Sequence, residues 1–383
     1  MRKSLIALAC LSAMTCSALA AEVELYGTVD TYIAVNHQGG ETNTSLRSGG
    51  ASASFWGIKG TEDIGPDLKA IFKLESAFLA DTGAFPEGAN GALFSREAWV
   101  GLHSNTWGTL SFGRQYTPHF LTWAMTDPTD LSLGSSYSPF FFPMPTGVNG
   151  EVGDSLVRHS NSLLYVSPRM AGVQLFAYAA LGEETDSAGN ITGSEDGNVY
   201  NIAANYVNGP LFVMASVLYQ DYSGNQGVNL GYTLDGTYSG DPEHPDRQTN
   251  GHGMYYNLGV TYDFGVTKLS GAFMYKDGED TDTVPNFWVA QIGAATPMLG
   301  GRWSVSASML SNETQDDADA YSLGTRFDYP LSKRTKVYVG YEVVFNDDNA
   351  KYSVEAGPDS SLHYANEWGQ TQGQFFMGIN HKF

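Results

Sequence analysis

Val23-Glu24-Leu25-Tyr26-Gly27-Thr28-Val29-Asp30-Thr31-Tyr32-Ile33-Ala34-Val35 sorts its side chains by parity. Val23, Leu25, Val29, Ile33 and Val35 share one parity. Glu22, Glu24, Tyr26, Thr28, Asp30 and Tyr32 share the other. Successive side chains of a strand point to opposite faces, so this stretch reads as a strand with one apolar and one polar face. The pattern recurs downstream. Tyr200, Ile202, Ala204 and Tyr206 alternate with Asn201 and Asn205, and Leu258, Val260, Tyr262 and Phe264 with Asn257, Thr261 and Asp263. Tyr321, Leu323, Phe327 and Tyr329 alternate with Ser322, Arg326 and Asp328. Val337, Val339, Tyr341, Val343 and Phe345 alternate with Lys336, Tyr338 and Glu342.

Sixteen such runs are expected, near 22–36, 52–60, 68–79, 94–103, 109–115, 157–167, 172–182, 198–208, 211–221, 252–264, 267–277, 286–295, 302–312, 320–329, 335–346 and 372–383. The connections alternate in length. Short ones are turn-like: 62–67, 104–108, 168–171, 208–210, 265–266, 296–301 and 330–334. Long ones are polar and rich in Gly and Asp: 37–51, 80–93, 116–156, 183–197, 222–251, 278–285, 313–319 and 347–371. Alternation of this kind puts all short turns at one end of an up-and-down meander. The fold class expected is therefore all-β, a transmembrane antiparallel barrel with short periplasmic turns and longer external loops. A soluble barrel of that size would enclose a wide lumen that nothing fills. Tyr165, Tyr206, Tyr262, Phe264, Trp303 and Tyr329 begin or end apolar runs, as interface girdles require.

Composition agrees. The 383 residues are 16% charged, against about 25% in an ordinary soluble domain. Arg2 and Lys3, the apolar run from Leu5 to about Met14, and Ala18-Leu19-Ala20 form a secretory signal over 1–20, which leaves a barrel domain over 21–383. Losing those two cations takes the formal charge from −21 to −23, which gives no footprint for nucleic acid. Cys10 and Cys16 fall in the signal, so the mature chain would hold no disulfide and no zinc-thiolate site. No metal or cofactor is expected. Gly-x-Ser-x-Gly, His-Glu-x-x-His and a phosphate-cradling glycine loop are all missing from the sequence, so an enzyme is not expected.

The segment 116–156 carries Trp123, Tyr137, Phe140, Phe141, Phe142, Met144 and five prolines, too apolar for a solvated loop. Its acids are Asp127, Asp130, Glu151 and Asp154. Parity puts Lys59, Lys73, Arg158, Arg302, Arg326 and Lys336 on lumen faces, where a charge avoids the cost of about 2–4 kcal/mol at mid-membrane. Parity groups Arg96 with Ala98 and Val100, and Arg114 with Leu110 and Phe112. Either a bulge or the membrane rim would then have to accommodate these two arginines.

Several stretches resemble the trimeric, sixteen-stranded general porins of Gram-negative bacteria. They are Val23 to Asp30, Gly57-Ile58-Lys59-Gly60-Thr61-Glu62-Asp63-Ile64-Gly65, Ala98 to Leu102, Gly108 to Tyr116, Arg158 to Pro168, Leu331 to Thr335 and Met377 to Phe383. The resemblance implies an outer-membrane homotrimer that passes ions and small hydrophilic solutes without an energy source. It implies that 116–156 folds inward to narrow the pore, with loop acids facing a basic wall. Arg96, Arg114 and Arg158 match basic positions of that wall, and Phe383 resembles the signal read by the outer-membrane assembly machinery. Phe55 stands where the family often has another arginine, so ion preference does not carry over. A substrate-specific channel is the closer alternative, ahead of an outer-membrane enzyme or an adhesin barrel.

Overall fold

Each alternating run becomes a strand bonded to its sequence neighbour in the computed structural model, which describes residues 22–86, 92–141, 154–182, 184–185, 191–193, 197–221, 252–278, 286–314, 316–354 and 368–383. The first strands are β1 (Glu22–Gln38), β2 (Glu41–Ser48), β3 (Phe55–Gly65), β4 (Leu68–Ala77), β5 (Glu97–Ser104), β6 (Gly108–Tyr116), β7 (Arg158–Val166) and β8 (Val173–Ala180). A separate ribbon, β9 (Glu184–Thr185) and β10 (Ile191–Gly193), follows. The wall resumes with β11 (Val199–Asn208), β12 (Leu211–Asp221), β13 (His252–Asp263), β14 (Lys268–Gly278), β15 (Phe287–Met298) and β16 (Gly301–Asn312). It ends with β17 (Ala320–Pro330), β18 (Thr335–Asn346) and β19 (Gln372–Lys382).

β1 pairs with β19 from Thr28↔Lys382 to Gln38↔Gln372, which closes the sheet into a barrel. On its other edge β1 meets two segments laid end to end. Thr31 to Gln38 pair with β2, and Glu22 to Thr28 with β3. β2 and β3 therefore form one wall strand, and the barrel has sixteen. Residues 49–54 separate them and stand opposite only Val29 and Asp30, so the chain bulges out of the sheet there. This corrects the expectation of a long loop over 37–51. The first external connection is a hairpin turn at Gly39 and Gly40, with φ of 57° and 87°, followed by the bulge.

The two faces are inverted relative to a soluble fold. Val23, Leu25, Ile202 and Ile292 are 59%, 64%, 65% and 70% exposed, while Asn201 and Asn257 are buried. Burial of apolar surface cannot hold such a wall in water; lipid supplies the outer contact. The short turns lie at one rim. The carboxylate of Asp67 in the first of them accepts from Ser104 Oγ at 2.7 Å, Asn105 N at 2.9 Å and Thr106 Oγ1 at 2.6 Å. These bonds latch two neighbouring turns together and hold the carboxyl below its usual range. The expected signal peptide, 1–20, lies outside the described residues.

Candidate functional site

The inward segment begins as a helix, which strand periodicity did not reveal. Thr117 caps α1 (Pro118–Thr126), accepting from Phe120 N at 3.1 Å, and Pro118 sits in the first turn, where its missing N–H costs nothing. Two one-turn helices follow, α2 (Ser138–Phe141) and α3 (Asp154–Val157). The aromatic residues build a core of their own inside the barrel. Trp123 and Tyr137 stack with ring centroids 3.4 Å apart, and both are buried with Phe140 and Phe141.

The lumen wall is made to receive this segment. Its polar parity supplies partners strand after strand. Asn201 on β11 accepts from His119 N at 2.7 Å, and Asn257 on β13 donates to the His119 ring. Gln291 on β15 donates to Asp127 at 2.7 Å, and Ser304 on β16 donates to Pro128 O at 3.1 Å. Ser306 accepts from Ser136 N at 2.9 Å, and Glu342 on β18 accepts from Gly134 N at 2.8 Å. Arg326 on β17 is 1% exposed and donates to Ser132 Oγ and Leu133 O while pairing with Asp328 at 3.0 Å. Glycines let the backbone lie flat on this wall. A Cβ at Gly259 would sit 2.6 Å from Thr126, one at Gly293 2.7 Å from Pro128, and one at Gly324 2.3 Å from Gly134 O.

The segment covers part of the lumen and leaves a cavity of about 230 Å³ beside it. Four cations line this cavity: Arg96, Arg158, Lys336 and Lys382. Asp130 is the acid among its described lining residues. Tyr116, Phe120, Leu131 and Val157 give it an apolar side, and Ala51, Ser52 and Ala53 of the bulge a small-residue side.

The sequence candidates scatter around this cavity. Arg158 lies in it, its guanidinium 4.8 Å above the Tyr116 ring, next to a register shift between β6 and β7 and to Asn161 with φ of 54°. Arg96 also lies in it. It precedes β5, so strand parity does not govern it, and it bonds Glu75 at 3.3 Å and Tyr116 Oη at 2.7 Å. The Phe55 ring supports Arg96 from 4.7 Å. The position that could have carried another arginine here holds a platform for a different one. Arg114 pairs across from Ala98 on the outward parity and bonds Ser95 O and Ser160 Oγ at 2.7 and 3.3 Å. Lys59 pairs with Glu24 at 3.0 Å, and Lys73 with Glu75 at 2.8 Å and with Glu97. These last three are not among the lining residues of the cavity.

The acids divide as well. Asp130 faces the cavity. Asp127 is buried and accepts from Thr129 N, Leu131 N, Ser135 Oγ and Gln291 Nε2, so it works as the joint of the loop. Glu151 and the side chain of Asp154 lie outside the described residues. Phe383 exchanges backbone bonds with Gly27 at 3.0 and 3.2 Å and locks the barrel seam. Lys382 and the polar row on β11 to β18 were missed as site residues. The row was visible only as polar parity, which does not say what it binds.

Comparison with known proteins agrees with this architecture. The family model described as Gram-negative porin matches residues 7–349. The chain is 30% identical to outer membrane porin protein 32 of Delftia acidovorans over the full length of both chains. It is 29% identical to an outer membrane porin protein of Bordetella pertussis, over 88% of this chain and 93% of that one. The solved structure of an anion-selective porin from Comamonas acidovorans superposes with a TM-score of 0.77 at 24% identity, covering 95% of this chain and all of that one. A sixteen-stranded wall with apolar residues toward lipid, a lumen partly filled by an inward segment and relatives of this kind lead to one assignment: the chain belongs to the Gram-negative porin family and forms an outer-membrane channel for passive diffusion of solutes.

Proposed function

We propose that the cavity beside Asp130 is the eyelet of the channel, and that it favours small hydrophilic anions. The observation that carries this is its charge: Arg96, Arg158, Lys336 and Lys382 surround it, against Asp130. Asp130 sits on the loop and the cations on or next to the wall, so a transverse field crosses the passage. Polar solutes align in such a field, charged side chains set ion preference, and the opening sets the size limit. Glu75 and Asp328 offset part of the charge of Arg96 and Lys336, so a modest preference is expected. The relative named as anion-selective is in keeping with this sign. The test is reversal potential in a salt gradient across a planar bilayer. A potential of the cation-selective sign at about 0.1 M salt, where screening is weak, would sink the reading.

The same reading includes a working homotrimer embedded in outer-membrane lipids, removal of residues 1–20 on export, and recognition of the last strand by the assembly machinery. Solutes pass unchanged, so the protein transports and does not catalyse. Heat-modifiable migration on gels and a mature N-terminus at Ala21 are the expected signatures.

A further inference from the structure

We infer that the bulge at residues 49–54 is a second jaw of the eyelet, and that its small side chains set the size limit of the channel. This rests on the eyelet reading above. Six residues stand where the register of β1 leaves room for two, and the surplus chain meets the inward loop, where Leu133 N donates to Gly50 O. Ala51, Ser52 and Ala53 then line the narrow section together with Asp130 and Arg158.

A jaw must be rigid, and this one is held from several sides. The Asp30 carboxylate accepts from Gly50 N at 2.9 Å, Ala51 N at 3.1 Å, Tyr338 Oη at 2.6 Å and Asn380 Nδ2 at 2.7 Å. Asn380 also donates to Ser52 Oγ at 2.9 Å. Ser54 Oγ accepts from Asp30 N and donates to Asp30 O. The jaw meets the inward loop directly, since Leu133 N donates to Gly50 O at 3.0 Å. Gly50 admits no side chain, because a Cβ would fall 2.1 Å from Tyr338 Oη. The wall supports loop and jaw alike. The loop supplies bulk and an acid, and the jaw supplies a surface whose side chains end at a methyl or a hydroxymethyl. Larger side chains there would project into the passage.

The sequence lacks cysteine outside residues 1–20, so a single introduced thiol can be labelled on the folded mature protein. Ser52→Cys is refolded, inserted into bilayers and treated with a methyl-sized or a benzyl-sized methanethiosulfonate, with labelling verified by mass. The methylthio group should change conductance little, and the benzylthio group should lower it about twofold or more and slow uptake of trisaccharides. Thr44→Cys, exposed on β2 with Val35 as its partner, should show no effect. Asp130→Cys is labelled in parallel to report the eyelet itself. If Ser52→Cys is fully labelled and silent while Asp130→Cys responds, the jaw is overturned and the eyelet stands. If both are silent, the narrow section lies elsewhere and both readings fall.

Discussion

The guanidinium of Arg326 donates to the carbonyl oxygen of Leu133 at 2.7 Å, so a wall strand holds the inward loop by its backbone. The same side chain reaches Ser132 Oγ and pairs with Asp328. Removing it leaves Asp328 with Lys336 and Arg302, and takes the Arg326 donor from the buried Leu133 carbonyl. Leaving a buried acceptor without its donor costs about 1–3 kcal/mol. Arg326→Ala should therefore undock the loop and leave the barrel closed, because the β17 ladder does not depend on this side chain. Limited proteolysis of the refolded protein should cut within 116–156 in the variant at protease levels that spare the wild type. Equal resistance would show that the anchor is dispensable.

His119 gives the loop a pH dependence. It is fully buried against Asn257, Tyr255 and Phe141, and burial pushes its pKa down from 6.5 to about 3. A histidine whose value is depressed when docked stabilises the docked form above its ordinary pKa. That stability is lost as pH falls from 6.5 toward 3, at about 1.4 kcal/mol per unit. Channel noise and closures should rise between pH 7 and pH 4.5 in bilayer recordings. His119→Gln, which cannot take up the proton, should flatten the dependence. A variant as pH-sensitive as the wild type would place the responsible group elsewhere.

Phe383 tests the seam. Its N–H and C=O both bond Gly27, and its ring lies where a Gly27 Cβ would be, 2.5 Å from the ring. Deleting Phe383 removes two ladder bonds at the closing edge of the barrel, each worth about 1 kcal/mol net. The yield of folded outer-membrane protein should fall while export of the chain continues. Normal amounts of heat-modifiable protein in the deletion strain would contradict this.

The wall was legible because its physics is local. Tyr200, Ile202, Asn201 and Asn205 announce their faces by parity alone, and lipid and water enforce it. The bulge at 49–54 was not legible, because Gly49-Gly50-Ala51 reads as the end of a loop and Ser52-Ala53-Ser54 as the start of a strand until the register with Val29 and Asp30 is known. Helix α1 was hidden for a similar reason. Thr117-Pro118 is a start signal, but nine residues around Trp123 show little helical periodicity, and the helix is fixed by Asn201 and Asn257 from distant strands. Arg96 defied parity because it precedes its strand.

Asp127 and Asp130 show most sharply what the sequence leaves undecided, and they allow the strictest test of the eyelet. Three positions apart in one loop, they read alike as acids facing the pore. Asp127 spends both oxygens on loop and wall donors and is 4% exposed. Asp130 is exposed, lines the cavity with Arg158, and has φ of 60°. Asparagine tolerates that backbone and keeps the side-chain shape, so Asp130→Asn removes charge with little strain. The reversal potential should move toward greater anion preference, more at about 0.1 M than at about 1 M salt, because screening hides a local charge at high salt. Arg158→Glu should move it the opposite way. Asp127→Asn puts an amide where several donors converge, at a cost of about 1–3 kcal/mol for the groups left unmatched. It should loosen the loop, seen as noise and protease sensitivity, and shift the reversal potential far less than Asp130→Asn. If Asp127→Asn shifts the potential as much as Asp130→Asn does, buried and exposed acids contribute alike and the eyelet has been drawn in the wrong place.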